Sequence, residues 1–228
     1  MNGLTLSHNE LRALLSRTCE SLFGQTQDVK AIAETVLWLE ASGLGGVSHT
    51  VRALPVLSAN YNRPKLSWPK SGIIEFDGHG QSLFLFADII ADLTCSLAIR
   101  IGHGRVDIEG VKDPSVILRA VMLCAKDGCY AMAEWAGGAA LGTPDRAEPD
   151  MQGVFAHTEK LSLICSQKPM ALEKGTALTL SADTLMAAYE QSLDKGININ
   201  RSDYDVLCEV ADQVLVPDSD ISRKGAGD

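Results

Sequence analysis

Three side chains in one short stretch, Ser48, His49 and Arg52, are equipped for acid–base chemistry on a small anion. They follow a turn with glycines at 43, 45 and 46, where the backbone can take positive φ at little steric cost. The pattern predicts a helix that starts at His49, with Ser48 as its N-cap accepting from the amide of Thr50 or Val51. Arg52 follows His49 by three residues, so both project from one helical face. The unpaired amides of a first turn and the positive end of the helix dipole favour an anion there. An imidazole that titrates near neutrality, a guanidinium that grips carboxylates and an anion-attracting helix start can hold a carboxylate and move a proton beside it. A positive helix end disfavours imidazolium, so a proton-donating His49 also requires a carboxylate nearby.

Regular elements on either side must position this stretch. Ser7-His8-Asn9-Glu10 is a capping box opening a first helix, with apolar residues at Leu11, Leu14, Leu15 and Leu22 and a stop at Gly24. His8 reads as a solvated first-turn residue. Val29, Ile32, Ala33, Val36 and Leu37 give helical spacing over 27–42 and deliver the chain to the glycine turn. The third helix runs to about residue 60 and carries Pro55. Tyr61 to Pro69, with two prolines, reads as a connector. Gly72 to Gly78 reads as a strand ending in an Asp-Gly turn that holds His79, and Ser82 to Phe86 as its hairpin partner or a helix start. Leu93 to Gly102 is an apolar run expected to be a buried strand. Asp113-Pro114 opens a helix with Asp as N-cap and Pro in the first position, Val116 to Cys124 supply its apolar face, and Cys129 to Trp135 form a second buried strand. Together these make a β-α-β unit with parallel strands. Leu161–Cys165 and Ala177–Leu180 read as short strands. Ser181 or Asp183 caps a helix reaching Leu193, and 203–210 is helical. The expected organisation is one α/β domain over 1–222, with a helical N-terminal lobe at 1–62, a sheet-containing part at 70–222 and a mobile tail at 223–228.

Charge narrows the function. The net charge is -9, from 20 basic and 29 acidic residues, with no basic stripe, which argues against nucleic-acid binding. An acidic surface repels anions unless a local cation overrides it, and Arg52 is such a cation. The six cysteines include no Cys-x-x-Cys pair, and most sit in apolar runs, so their spacing speaks for reduced thiols and against a zinc or redox motif. No signal peptide and no bilayer-length apolar run is present, so the reading is a soluble cytoplasmic protein without a membrane partner.

Ala41 to Leu54, with Gly46-Val47-Ser48-His49-Thr50-Val51-Arg52-Ala53-Leu54 at its end, resembles the N-terminal signature of the malate/L-lactate dehydrogenase family. These are the sulfolactate dehydrogenase-like oxidoreductases, unrelated to the Rossmann-fold lactate dehydrogenases. Ile99-Arg100-Ile101-Gly102-His103-Gly104 is similar to the family's strand–His-Gly passage. Gly137-Gly138-Ala139-Ala140-Leu141-Gly142-Thr143-Pro144 is similar to its cofactor-site passage, Asp150-Met151 to its Asp-Met pair, and Val214 to Asp220 to its closing segment. The chain departs from the family pattern at several points, among them a Gly-to-Ser spacing one residue shorter, no asparagine after Thr143 and no Asp-x-x-Thr-Ser. Thr50 stands where the family has glycine, Arg52 follows the histidine by three residues instead of four, and the Gly-His-Lys-Gly cofactor stretch has no counterpart.

The resemblance implies a short bacterial relative of that family. The fold it implies is α/β, an N-terminal helical segment plus a mixed sheet containing a β-α-β unit, like a truncated form of the family's. It further implies an oxidoreductase acting with NAD or NADP on a small 2-oxo or 2-hydroxy acid or the related imine. His49 would be the acid/base, Ser48 would orient it, Asp150 would support the imidazolium, and Arg52 would hold the substrate carboxylate. His103, Gly142 and Thr143 would contact the cofactor, with no metal, in a homodimer. The alternative is a non-catalytic relative that binds a small carboxylate or acts as a partner subunit.

Overall fold

Ser7 Oγ accepts the Glu10 amide and Glu10 accepts the Ser7 amide, so the capping box starts α1 (His8–Phe23) where the sequence places it. Asp28 caps α2 (Val29–Ala41) through the Ala31 amide. The computed structural model describes residues 3–24, 28–57, 61–155, 160–172 and 178–214. Ala177, the closing segment beyond Val214 and the tail at 223–228 lie outside the described residues.

α3 spans Gly46–Leu57, three residues earlier than the sequence reading, so Ser48 lies inside its first turn and is not its cap. Gly46 is what makes the close approach possible: a Cβ there would sit 2.3 Å from the Val36 carbonyl oxygen and 2.8 Å from Leu39 Cβ on α2. The Val47 amide is taken by the Glu40 carboxylate at 2.7 Å.

After α3 the chain enters a sheet. The proposed connector contains an edge strand, β2 (Lys65–Lys70), paired antiparallel with β3 (Ile73–Ser82). β3 is longer than read: the Asp77-Gly78-His79 segment is a register break inside it, with His79 at φ 51°. Its last residue, Ser82, begins a short 3-10 turn at 83–85.

The run read as a buried strand at 93–102 belongs to a helix, α4 (Ala87–Ile101), closed by Gly102 in the left-handed region. The physical reason lies upstream of the window. Ala87, Ile90, Ala91, Thr94, Cys95 and Ala98 are the buried positions, a 3.6-residue period. The exposed Ile99 and Ile101 added apolar character to the short window without adding strand.

β4 (His103–Lys112) lies parallel to β3, so β3-α4-β4 is the β-α-β unit of adjacent strands. Pro114 leads a 3-10 turn into α5 (Ile117–Lys126), and β5 (Tyr130–Trp135) follows, as read. β6 (Gly138–Thr143) and β7 (Arg146–Gly153) form hairpins after it. β8 (Lys160–Ser166) inserts antiparallel between β4 and β5, which leaves those two parallel but not neighbours. The seven-stranded mixed sheet has the order β2-β3-β4-β8-β5-β6-β7. α4 and α5 cover one face, which explains the alternating burial along β4, β8 and β5.

Ser181 caps α6 (Ala182–Lys195), as the sequence suggests, whereas the expected strand at 177–180 is reduced to a bridge between Met151 and Leu180. β9 (Ile197–Asn200) pairs antiparallel with β1 (Gly3–Leu6), and α7 (Arg201–Ala211) packs on α1 and α3. One apolar cluster runs from the helices into the sheet.

Candidate active site

α3 packs on β3, and the Asp113 carboxylate, just past the carboxyl end of the parallel strand β4, acts on His49 of α3; carboxyl ends of parallel strands are where open α/β sheets leave a crevice for ligands. His49, in the first turn of α3, is half-buried. Two charges act on its ring in opposite senses. Desolvation lowers its pKa from the ordinary 6.5, and the Arg52 guanidinium lowers it further; the Asp113 carboxylate pulls it up. Arg52 is exposed and makes no salt bridge among the described residues, so its guanidinium is available to an incoming carboxylate.

Asp113 is held firmly. It follows the last residue of β4 with φ 58° and ψ 53°, a left-handed conformation that few residues except glycine, Asn and Asp tolerate. Its carboxylate is not an N-cap. It accepts from Ser82 Oγ at 2.5 Å, and Ser82 is fully buried at the end of β3. The bond clasps the ends of the two parallel strands and fixes the carboxylate whose charge acts on His49. Asp113 and Ser82 are the residues the sequence reading missed. Asp113-Pro114 carries a strong capping pattern, and nothing local ties an aspartate to a histidine 64 positions away.

Ser48 and Asp150 are not brought to His49. Ser48 Oγ donates to Asp203 Oδ2 at 2.6 Å, and Ser48 lines a separate cavity of about 340 Å³ with Glu40, Asn198 and Asn200. Asp150 lies on the sheet's far edge strand, β7, where its carboxylate accepts the Ala182 amide at 2.8 Å and caps α6. The anion place at the start of α3 is filled from within by Glu40. Burial pushes this carboxyl up, the Val47 amide bond opposes that shift, and Asp203 adds to it.

His103, Gly142 and Thr143 share one end of the sheet, the end remote from His49. His103 opens β4, Asp113 follows its last residue, and the ten residues between these points span about 30 Å. Gly142 is a packing glycine: a Cβ would meet Val121 Cγ1 at 3.0 Å and Ala125 Cβ at 3.1 Å on α5. It is buried and paired with Ala131 in the ladder, so its backbone offers no phosphate cradle. Thr143 acts on the neighbouring Asp145 carboxyl, lowering its pKa. These residues do not fit a dinucleotide pyrophosphate. The Gly137-Gly138 turn, by contrast, lies at the carboxyl end of β5, on the His49 end of the sheet. It lines a cavity of about 650 Å³ with Trp135, Gln152, Ala171 and Leu172.

No protein-family profile and no curated protein sequence matches the chain. Solved structures do match. Malate dehydrogenase from Pyrococcus horikoshii OT3 superposes with a TM-score of 0.72 at 10% identity, over 94% of this chain and 96% of that one. Sulfolactate dehydrogenase from Methanocaldococcus jannaschii gives 0.67 at 10% identity, over 92% and 97%. Delta1-piperideine-2-carboxylate reductase from Pseudomonas syringae pvar. tomato gives 0.67 at 12% identity, over 91% and 99%. The chain carries the α/β fold that these malate and sulfolactate dehydrogenases share with the piperideine-carboxylate reductase.

Proposed function

We propose that the chain is an oxidoreductase acting on a small 2-oxo or 2-hydroxy acid, or on the corresponding imine, with His49 as the group that moves the proton. The observation that carries this reading is the set His49, Arg52 and Asp113 at the carboxyl ends of β3 and β4. The substrate's carboxylate pairs with the Arg52 guanidinium, which turns the neighbouring carbon toward the imidazole. In the oxidation direction neutral His49 accepts the hydroxyl proton; in reduction the imidazolium returns it to the carbonyl oxygen or imine nitrogen. Asp113 stabilises that imidazolium. A nicotinamide, when bound, would supply or accept the hydride at that carbon. Kinship of fold with dehydrogenases and a reductase supports the reaction class.

A second reading, a non-catalytic carboxylate-binding relative, is favoured by one observation: Gly142 and Thr143 are committed to packing and to Asp145. Nicotinamide binding separates the two. Saturable quenching of the three tryptophans by NADH or NADPH, with turnover of a panel of 2-oxo acids, is expected. His49→Gln should cut turnover about 100-fold or more while leaving the quenching intact. No quenching at millimolar cofactor supports the non-catalytic reading.

A further inference from the structure

Four of the six cysteines come from four different elements and end in one place. Cys95 projects from α4, Cys124 from the end of α5, Cys129 from the turn ahead of β5 and Cys165 from β8. All four are buried, at 4%, 0%, 2% and 0% exposure. The Sγ atoms of Cys95, Cys124 and Cys165 lie within 4.8 Å of one another. Cys129, also buried, adjoins Cys95. Cys19 on α1 and Cys208 on α7 stand outside the cluster.

A buried cysteine usually acts as a small apolar side chain, and packing alone requires no convergence of sulfurs. Here three sulfurs from three separate elements converge within 4.8 Å, and Cys124 Sγ also donates to the Ala91 carbonyl at 3.7 Å. Metal–sulfur bonds of about 2.3 Å set the sulfurs of a three-thiolate site about 4 Å apart. The triangle therefore needs to contract by less than about 1 Å. A disulfide would need about 2.05 Å between two sulfurs and would leave the third thiol over.

We propose that Cys95, Cys124 and Cys165 form a buried thiolate site for one soft d10 cation, either monovalent copper held by these three or zinc with Cys129 as fourth ligand. Each ligating thiol releases its proton on binding. The site is closed and lies between α4, α5 and the sheet, so its effect is to pin those helices to β5 and β8. Its ligands are too scattered along the chain for any sequence motif, which is why their spacing suggested none.

The test uses reduced, metal-free, full-length protein titrated with Co(II) as the spectroscopic substitute for zinc and, anaerobically, with Cu(I). One equivalent of either metal should give sulfur-to-metal charge-transfer absorption and raise the melting temperature. Cys124→Ala and Cys165→Ala should weaken binding at least tenfold, while Cys19→Ala and Cys208→Ala leave it unchanged. Cys129→Ala distinguishes the ions, abolishing the tetrahedral Co(II) spectrum but not Cu(I) binding. Because the wild-type titration needs no variant to fold, absence of charge-transfer absorption with both metals overturns the proposal. So does loss of binding in the Cys19 or Cys208 variants alone, or a disulfide within the cluster in the native protein.

Discussion

His49 is tuned by its neighbours in opposite senses, and each neighbour can be removed. Burial and Arg52 lower its pKa from 6.5, and Asp113 raises it. Because the folded-state value lies below the ordinary one, the folded protein binds fewer protons than the unfolded chain as pH falls through 6.5. Stability from this group is therefore lost as pH drops through 6.5 toward the lowered value. In NMR titrations the His49 midpoint should lie below 6.5, Arg52→Gln should raise it, and Asp113→Asn should lower it further. A midpoint indifferent to both substitutions removes the electrostatic triad. The pairing of His49 with Arg52 was legible because three residues on a helix put both on one face, whereas Ser48 turns to Asp203. The acid acting on His49 was not legible, because Asp113 reaches the site only through the folding of β4 beside β3.

Elements decide whether that turn is presented at all. α3 can start against α2 only because Gly46 lacks a Cβ, and its first free amide is satisfied by Glu40. Gly46→Ala should cost about 1–3 kcal/mol, since it overpacks a backbone contact. Glu40→Ala should cost about 1–2 kcal/mol by orphaning the Val47 amide. Glu40→Gln should be near neutral, because the amide oxygen still accepts while the buried charge, already penalised by desolvation, disappears. Chemical denaturation of the three variants reads these differences; a Glu40→Gln loss equal to that of Glu40→Ala would show that the charge itself is required. Capping residues marked the starts of α1 and α6, since a cap is local chemistry, and apolar spacing marked α2. α4 escaped the short window because its six buried positions begin at Ala87, well before the apolar run that drew attention.

At the scale of the molecule, the parallel pair β3 and β4 carries at its carboxyl end Asp113, whose charge acts on His49, and its opposite end holds His103. Sequence gives the order of elements but not strand order. The insertion of β8 between β4 and β5 is a long-range pairing that no local pattern announces. That topology places His49 at one end of the sheet and Gly142 at the other, whatever their likeness to neighbouring motifs. It also sets up a coupling measurable on the whole protein. A carboxylate on Arg52 neutralises the cation that lowers the His49 pKa, so binding a small 2-oxo acid should draw a proton onto the imidazole. Calorimetric titration of pyruvate near pH 6, in two buffers of different ionisation enthalpy, counts that proton directly. The account predicts net uptake of up to about one proton per site in the wild type and none in His49→Gln. Binding with no uptake, or uptake that survives the loss of His49, would contradict it.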